Sequence, residues 1–412
     1  MKDQIILFQD KRDCCGCGAC FNICSKHAIS MCEDEYGFIY PKIDEGLCIK
    51  CGMCQRVCAY QTMGESAVPI ETFVAAANDK NIITSSASGG IFASIAKEVL
   101  NNNGIVFGCS MEIEDQMITP KHIRIVNEEE LIRLQGSKYV QSCIGDIYQQ
   151  VKSDLILEKT VLFSGTPCQV AALRTYLGNE KYENLYTVDI ICHGVPSAAL
   201  FQSYIKEFEK KLKGNIIGFK FRDKTGGWGL KGKVTYIDKS KRKRTKLLPV
   251  QLSSYYKLFL DSDTYRETCY ECKYATPHRV GDLTIGDYWG IEREHPEYLI
   301  GHGGDMDTQK GISCLIVNTQ HGKRLLEQFG TSLDLRPSSF EKAKAENRQL
   351  SYPSTVSKNR EQILELYRLN GYKAVDSWYN KKLGIRKYVY HVWNIIPVKV
   401  QKTLKHLYKK LW

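Results

Sequence analysis

Cys14, Cys17, Cys20 and Cys24 follow the run C-x2-C-x2-C-x3-C, and Cys48, Cys51, Cys54 and Cys58 repeat it after a short linker. A 4Fe-4S cubane offers four iron corners. Cysteines two residues apart on a tight loop reach three of them, and the fourth ligand comes from elsewhere. Two copies of one ligand set therefore predict two 4Fe-4S clusters and, with them, the transfer of single electrons. A pair of zinc sites is the alternative, but this spacing suits cubanes better than four-cysteine knuckles. Cys15 and Cys32 fall outside both runs and are read as loop or core thiols.

Over about residues 10–62 the segment resembles bacterial dicluster ferredoxin domains, in which the fourth cysteine of each run ligates the other cluster. The resemblance implies one ligand set of Cys14, Cys17, Cys20 and Cys58, and another of Cys48, Cys51, Cys54 and Cys24. Ser25 and Ala59 stand where such domains usually carry proline. That departure bears on loop rigidity and leaves ligation untouched.

These cysteines need a body to serve. The chain has 412 residues, 43% hydrophobic and 25% charged, a composition that excludes a disordered or fibrous protein and predicts two to four units. Seventeen cysteines is an odd number, in metal-ligand spacing, which favours a reducing cytoplasmic setting over a disulfide framework. The apolar run Ile5–Phe8 is too brief for a signal peptide, and no stretch is long enough for a spanning helix, so the expected location is the cytoplasm. Of the net charge of +11, nine units lie in residues 380–412, which hold eight Lys and one Arg without Asp or Glu. A local excess of this kind argues against a body that grips nucleic acid, and the basic run Lys239–Arg244 reads as a solvated hairpin tip.

Periodicity and turn residues predict strands at Ile70–Ala77, Ile105–Cys109 and near His122–Val126, with helices at Ile91–Leu100 and Glu128–Leu134. In the second half, strand Thr160–Phe163, turn Ser164–Pro167, helix Cys168–Leu177 and strand Leu185–Ile191 form a β-α-β unit. Its parallel strands set Cys168 and Cys192 at the same sheet edge, where open α/β sheets place their sites. Helix Ser197–Leu212 follows, then strands near Ile216–Arg222, Lys231–Asp238, Thr245–Val250, Asp282–Tyr288 and Ile312–Asn318. Residues from about Ser338 to Tyr379 read as helical. The predicted class is α/β (α+β overall): a small dicluster domain at residues 1–65, a body at 66–150 and 151–330, and a helical basic tail at 331–412.

Ser164–Ala172 (SGTPCQVAA), Asp189–Pro196 (DIICHGVP), Cys269–Tyr274 (CYECKY) and Asp282–Trp289 (DLTIGDYW) resemble, in order, the motifs of the coenzyme F-420 hydrogenase/dehydrogenase beta-subunit family. The resemblance runs over about residues 70–330, the family's N- and C-terminal halves, and implies a flavin, FAD or FMN, beside iron-sulfur clusters. It also implies a third 4Fe-4S cluster on Cys168, Cys192, Cys269 and Cys272. The residues alone leave buried thiols, a redox disulfide or zinc at the C-x2-C as readings. The candidate flavin residues are Ser86, Ser88, Gly89 and Gly90, a small-residue loop opening a helix, and Ser137, Lys138 and Tyr139 of the GSKY segment. An ordinary N-cap and a surface lysine are the plain alternatives. Gly226–Gly229 either lets a ring approach the backbone or turns the chain. His193 is read as a loop histidine; Cys109, Cys143 and Cys314 are read as core.

The expected function is an iron-sulfur flavoprotein oxidoreductase that takes electrons from a ferredoxin or another redox subunit and reduces a small-molecule substrate. An electron-transfer subunit of a larger complex is the alternative, as is a partner protein in surface-polysaccharide synthesis, a setting in which bacterial relatives occur. The motifs identify no deazaflavin site. Lys381–Trp412 mixes apolar and basic residues as a helix on an anionic membrane face does, with a break or kink expected at Pro397; a basic helix docked on the protein's own body is the equal alternative.

Overall fold

Val161–Gly165 and Ser313–Val317 are short, wholly apolar-faced runs with no polar alternation over most of their length, the pattern of strands covered on both sides. The computed structural model, which describes residues 4–62, 64–396 and 400, places both at the centre of one mixed sheet. In chain order the strands are β1 (Ile29–Glu33), β2 (Ile39–Ile43), β3 (Glu71–Ala77), β4 (Ile105–Glu114), β5 (Met117–Ile125), β6 (Val161–Gly165), β7 (Leu185–Ile190), β8 (Gly214–Lys220), β9 (Lys231–Asp238), β10 (Lys243–Pro249), β11 (Leu283–Asp287), β12 (Ser313–Val317) and β13 (Leu333–Ser338). The large sheet has eight strands in the order β13-β3-β12-β11-β7-β6-β4-β5. Its β4, β6, β7 and β11 run parallel, while β5, β12, β3 and β13 are antiparallel to their neighbours. Two antiparallel sheets stand beside it: β10-β9-β8, and the hairpin β1-β2 between the two cysteine runs.

Alternation along the parallel strands divides the core. Val106, Leu162, Val188 and Leu283 face helix α1 (Ile91–Asn101), while Phe107, Val161 and Phe163 face helix α2 (Pro167–Leu177). The amphipathic α1 buries Ile91, Ile95, Val99 and Leu100. Thr166 and Gln169 start α2 as a capping box, with Thr166 N donating to Gln169 Oε1 at 3.0 Å and Pro167 in the first turn. The N-terminal segment packs on the α2 side, where Cys15, Ala19, Val57, Ala59 and Tyr60 join the same core.

The predicted β-α-β unit has the expected parallel register, Val161 opposite Leu185 and Gly165 opposite Asp189. Other expectations need correction. The strands expected at Ile105–Cys109 and His122–Val126 are a long hairpin that turns at Asp115 and Gln116, both with positive φ, because the pairing continues beyond the apolar stretch. Glu128–Leu134 is a 3-10 turn, Glu128–Glu130, followed by the short helix Leu131–Leu134. Ser338–Tyr379 is not one helix. Leu333–Ser338 is the edge strand β13, and Tyr352–Pro353 sits in an irregular stretch before helix α4. With α3 (Ala198–Leu212) preceding it, α4 (Arg360–Leu383) is itself broken at Gly371. A last helix, α5 (Arg386–Ile395), follows, and Pro397 with most of the tail beyond it lies outside the described residues. Cys314 is buried as expected and Cys109 half-buried, but Cys143 is exposed, in an extended stretch bridged to Lys121.

Candidate functional site

The carboxyl ends of β6, β7 and β11 open on a cavity of about 290 Å³. Two smaller spaces adjoin it, and thiols line all three. Cys14, Cys17, Cys20 and Cys58 border the innermost space of the N-terminal segment, and Cys15 and Cys54 also stand in its wall. Burial pushes the Cys14 thiol up to about 11, and Cys17 and Cys58 push it the same way. Cys20 is raised by burial and by Cys17, Cys14 and Cys58. The two cysteine runs thus interleave. Cys58, last of the second run, stands with the first three of the first.

Cys48, Cys51 and Cys54 form the outer group, Cys54 being raised by burial with Cys51 and Cys48 beside it. Cys24 packs in the same apolar cluster as Cys54, and Ala28 N donates to its Sγ at 3.3 Å. The loop of the first run needs glycine at position 16: its φ is +66°, and a Cβ there would lie 2.8 Å from Gln141 Nε2 and 2.9 Å from Ile39 O.

Cys168, Cys192, Cys269 and Cys272 line the third space together with Cys15. Cys192 is raised by burial and by Cys269, Cys168 and Cys272, and burial takes Cys269 to about 12 and Cys272 to about 11. Cys168 is held low by the neighbouring Cys15 thiol and by Thr166, whose Oγ1 is 3.2 Å from Cys168 Sγ, while Cys15 itself is pushed up. Among the described residues no three or more His, Cys, Asp or Glu side chains sit closely enough to share a single metal ion. The thiols border spaces and do not converge on one point. Several buried sulfurs in mutual range repel one another once deprotonated, so this donor chemistry suits a multinuclear, positively charged iron core that spreads their charge.

The walls between the spaces are shared. Cys168 and Cys192 line both the third space and the large cavity, Cys17 lines both the first space and the large cavity, and Cys15 lines all three. Cys15 is therefore not a mere core thiol; its place depends on contacts between residues about 150 apart in sequence, which the motif spacing does not carry. Arg266 was also missed, although it stands just before the CYECKY motif. It is fully buried, and its guanidinium donates to Cys14 O at 2.8 Å, Ile39 O at 2.7 Å and Gln141 Oε1 at 3.1 Å. This cation ties the N-terminal segment to the body and draws down both Cys14 and Cys168.

Of the candidate flavin residues, Ser86, Ser88, Gly90, Ser137, Lys138 and Tyr139 line the large cavity. The first turn of α1 opens on it, so free backbone N–H groups and the positive end of the helix dipole are available there. Gly89 is turned away from the cavity. Its N donates to Ser313 Oγ at 2.9 Å, and a Cβ would lie 2.6 Å from Ala75 O, so it fits the loop against β3 and β12. Lys138 Nζ donates to Leu134 O at 2.7 Å and Gln135 O at 2.9 Å, and burial brings its ammonium down to about 8. Tyr139 stacks on Phe259, ring centroids 4.4 Å apart, and its hydroxyl is 3.2 Å from Arg222 Nη1. In the GGWG turn, Trp228 packs against Trp289, which lines the cavity. The same loop holds Lys224, whose Nζ donates to Ser88 O and Ile83 O at 2.6 Å each. His193 is a loop residue that lines both the large cavity and the third space, where burial lowers its pKa.

Two family models match this chain, the N-terminal and C-terminal parts of the family described as coenzyme F420 hydrogenase/dehydrogenase, beta subunit. Residues 72–146 match the N-terminal model and residues 158–341 the C-terminal one, together more than half of the chain. Among solved structures, the chain is similar to one from a xenon derivative of the F420-reducing [NiFe] hydrogenase complex of Methanosarcina barkeri. The identity is 15%, with 73% of this chain and 93% of that chain covered, and the TM-score is 0.44.

Proposed function

We propose, for a chain that belongs to the coenzyme F420 hydrogenase/dehydrogenase beta-subunit family, that it is an iron-sulfur flavoprotein oxidoreductase with a dicluster N-terminal segment fused to the family body. In this reading Cys48, Cys51, Cys54 and Cys24 hold an outer 4Fe-4S cluster, Cys14, Cys17, Cys20 and Cys58 an inner one, and Cys168, Cys192, Cys269 and Cys272 a third. Ser86, Ser88, Ser137, Lys138 and Tyr139 face FAD or FMN in the large cavity. Bound there, the clusters exchange single electrons and the flavin gathers them into pairs for an organic substrate.

The observation that carries the reading is the sharing of walls: Cys15 borders the first space, the third and the large cavity at once. A relay needs sites in series without wide gaps, and walls shared between spaces, drawn from residues of both halves, support that reading. The protein's own contributions follow from its residues. The first turn of α1 receives a phosphate through backbone N–H groups, and Lys138 offers positive charge to a reduced ring. Arg266 offsets the charge of two thiol groups in a setting that water does not screen. Reducing equivalents come from a ferredoxin or another redox subunit at the outer group, where Cys51 is exposed beside Leu47 and Ile49, 53% and 56% exposed.

Anaerobic purification followed by iron, sulfide, zinc and flavin quantitation tests this, on the wild type and on a Cys168→Ser, Cys269→Ser variant. About twelve irons and one flavin, with about four irons lost in the variant, are expected. About eight irons, unchanged in the variant and without flavin, would reduce the protein to a dicluster carrier.

A further inference from the structure

Helix α5 is mounted with its apolar stripe outward. Ile385, Tyr388, Val389 and Val392 recur at the i, i+3, i+4, i+7 spacing of one helix face and are 79, 71, 60 and 60% exposed. The residues on the other side, Lys387, Tyr390, Trp393 and Asn394, are half-buried. The helix leans on the turn Val250–Leu252 and on α4. The helix docks on the body through its inner aromatic side chains, and that contact leaves the aliphatic stripe in water, where it has nothing of its own chain to cover.

We propose that this face seats the protein on an anionic lipid bilayer, the stripe entering the headgroup layer while Arg386 and His391, both exposed, flank it. Charge selects this occupant over a second copy of the chain. Residues 380–412 carry eight Lys and one Arg and no Asp or Glu, so stripe-to-stripe pairing would bring two strongly cationic segments together. The same charge draws the helix to phosphate-rich lipid. A stripe of four side chains is also small for a stable protein–protein interface and sufficient for peripheral attachment. No helix among the described residues is long and apolar enough to cross a membrane, so the contact is with the surface. The inference does not depend on the redox reading.

The test is flotation of the full-length, cofactor-loaded protein with phosphatidylcholine vesicles, with and without phosphatidylglycerol. Recovery is expected only with the anionic lipid, falling with added salt. Arg386→Gln should weaken it about fivefold and Val389→Glu about tenfold. Leu157→Glu, a change at an exposed apolar residue elsewhere, should leave it unaltered. Both tail positions are exposed, and unchanged iron content checks that the variants fold. Equal recovery with both vesicle types, or with neither, overturns the proposal. So does a Val389→Glu protein that still floats, or one whose main effect in light scattering is the loss of a dimer.

Discussion

His122 shows how closely single groups in the cavity wall are specified. Its ring stacks on Phe163 at 5.6 Å, with Nε2 3.0 Å from Ser164 O and Nδ1 3.0 Å from Ser142 Oγ, which itself accepts from Gln169 Nε2 at 2.9 Å. The neutral ring, donating through Nε2 and accepting at Nδ1 from the Ser142 hydroxyl, satisfies both contacts. Burial accordingly brings its pKa from 6.5 down to about 4. The unfolded chain then binds the proton that the folded one refuses, so stability rises with pH between about 4 and 6.5 and is complete above that window. Relative to a His122→Gln variant, the wild type should lose about 2 kcal/mol more stability between pH 7 and pH 5, measured by denaturant unfolding. Parallel losses in the two proteins would refute a buried neutral histidine. The thiols of the two N-terminal runs stand out in the sequence because metal ligation imposes short spacings. Arg266 and Cys15 were not, since each acts through contacts with distant parts of the chain.

At the scale of elements, the loop Ser85–Gly90 and helix α1 make one device, with serines toward the cavity and Gly89 wedged against β3. Gly89→Ala would force a Cβ to within 2.6 Å of Ala75 O and 3.0 Å of Ser313 N, both backbone atoms that yield little. The expected outcome is a loss of about 1–3 kcal/mol in stability and a flavin content well below wild type, with iron content kept. Absorbance at the flavin band against iron assay on one sample reads both, and an unchanged flavin-to-iron ratio would separate the loop from the flavin. Much of this level was legible. Apolar runs and turn residues located β6, α2 and β7, and P-C after a strand placed Cys168 at a helix start. Edge strands were harder: β13 lies in a tail expected to be helical, its Asp, Arg, Pro and Ser carry no apolar alternation, and its extended form is fixed by pairing with β3. The helix Ile147–Ile156 is hidden for a related reason: its half-buried Gln149, Gln150 and Lys152 and exposed Ser153 dilute an apolar face carried by Ile147, Tyr148, Val151 and Leu155.

For the whole molecule, two surfaces at separate stretches of the chain have distinct tasks in the proposals above. The outer cysteine group meets solvent through Cys51, Leu47 and Ile49, and α5 meets it through the stripe from Ile385 to Val392. Ile49→Glu should slow reduction by a ferredoxin about tenfold, as the loss of an apolar anchor does at a small interface, while leaving iron content and vesicle binding unchanged. Stopped-flow bleaching of the cluster absorbance measures it, and an unaltered rate would move the entry point elsewhere. The cysteine runs at one terminus and the basic excess at the other are legible in the sequence. It did not foretell which way the last helix is rolled, since an amphipathic pattern looks the same whether its apolar side faces in or out.

The position of β3 governs when the protein can become whole. This strand is made early, at Glu71–Ala77, yet among the described residues its partners are β12 and β13, made at Ser313–Val317 and Leu333–Ser338. During synthesis it waits with both edges unpaired, in the state in which a strand is most prone to wrong partners. Arg266, which fastens the first cysteine loop, also emerges late. The eight N-terminal thiols are therefore exposed to oxidants and to chance metals until the residues that shelter them have been made, so the order of synthesis, as much as the final geometry, decides how many chains mature correctly.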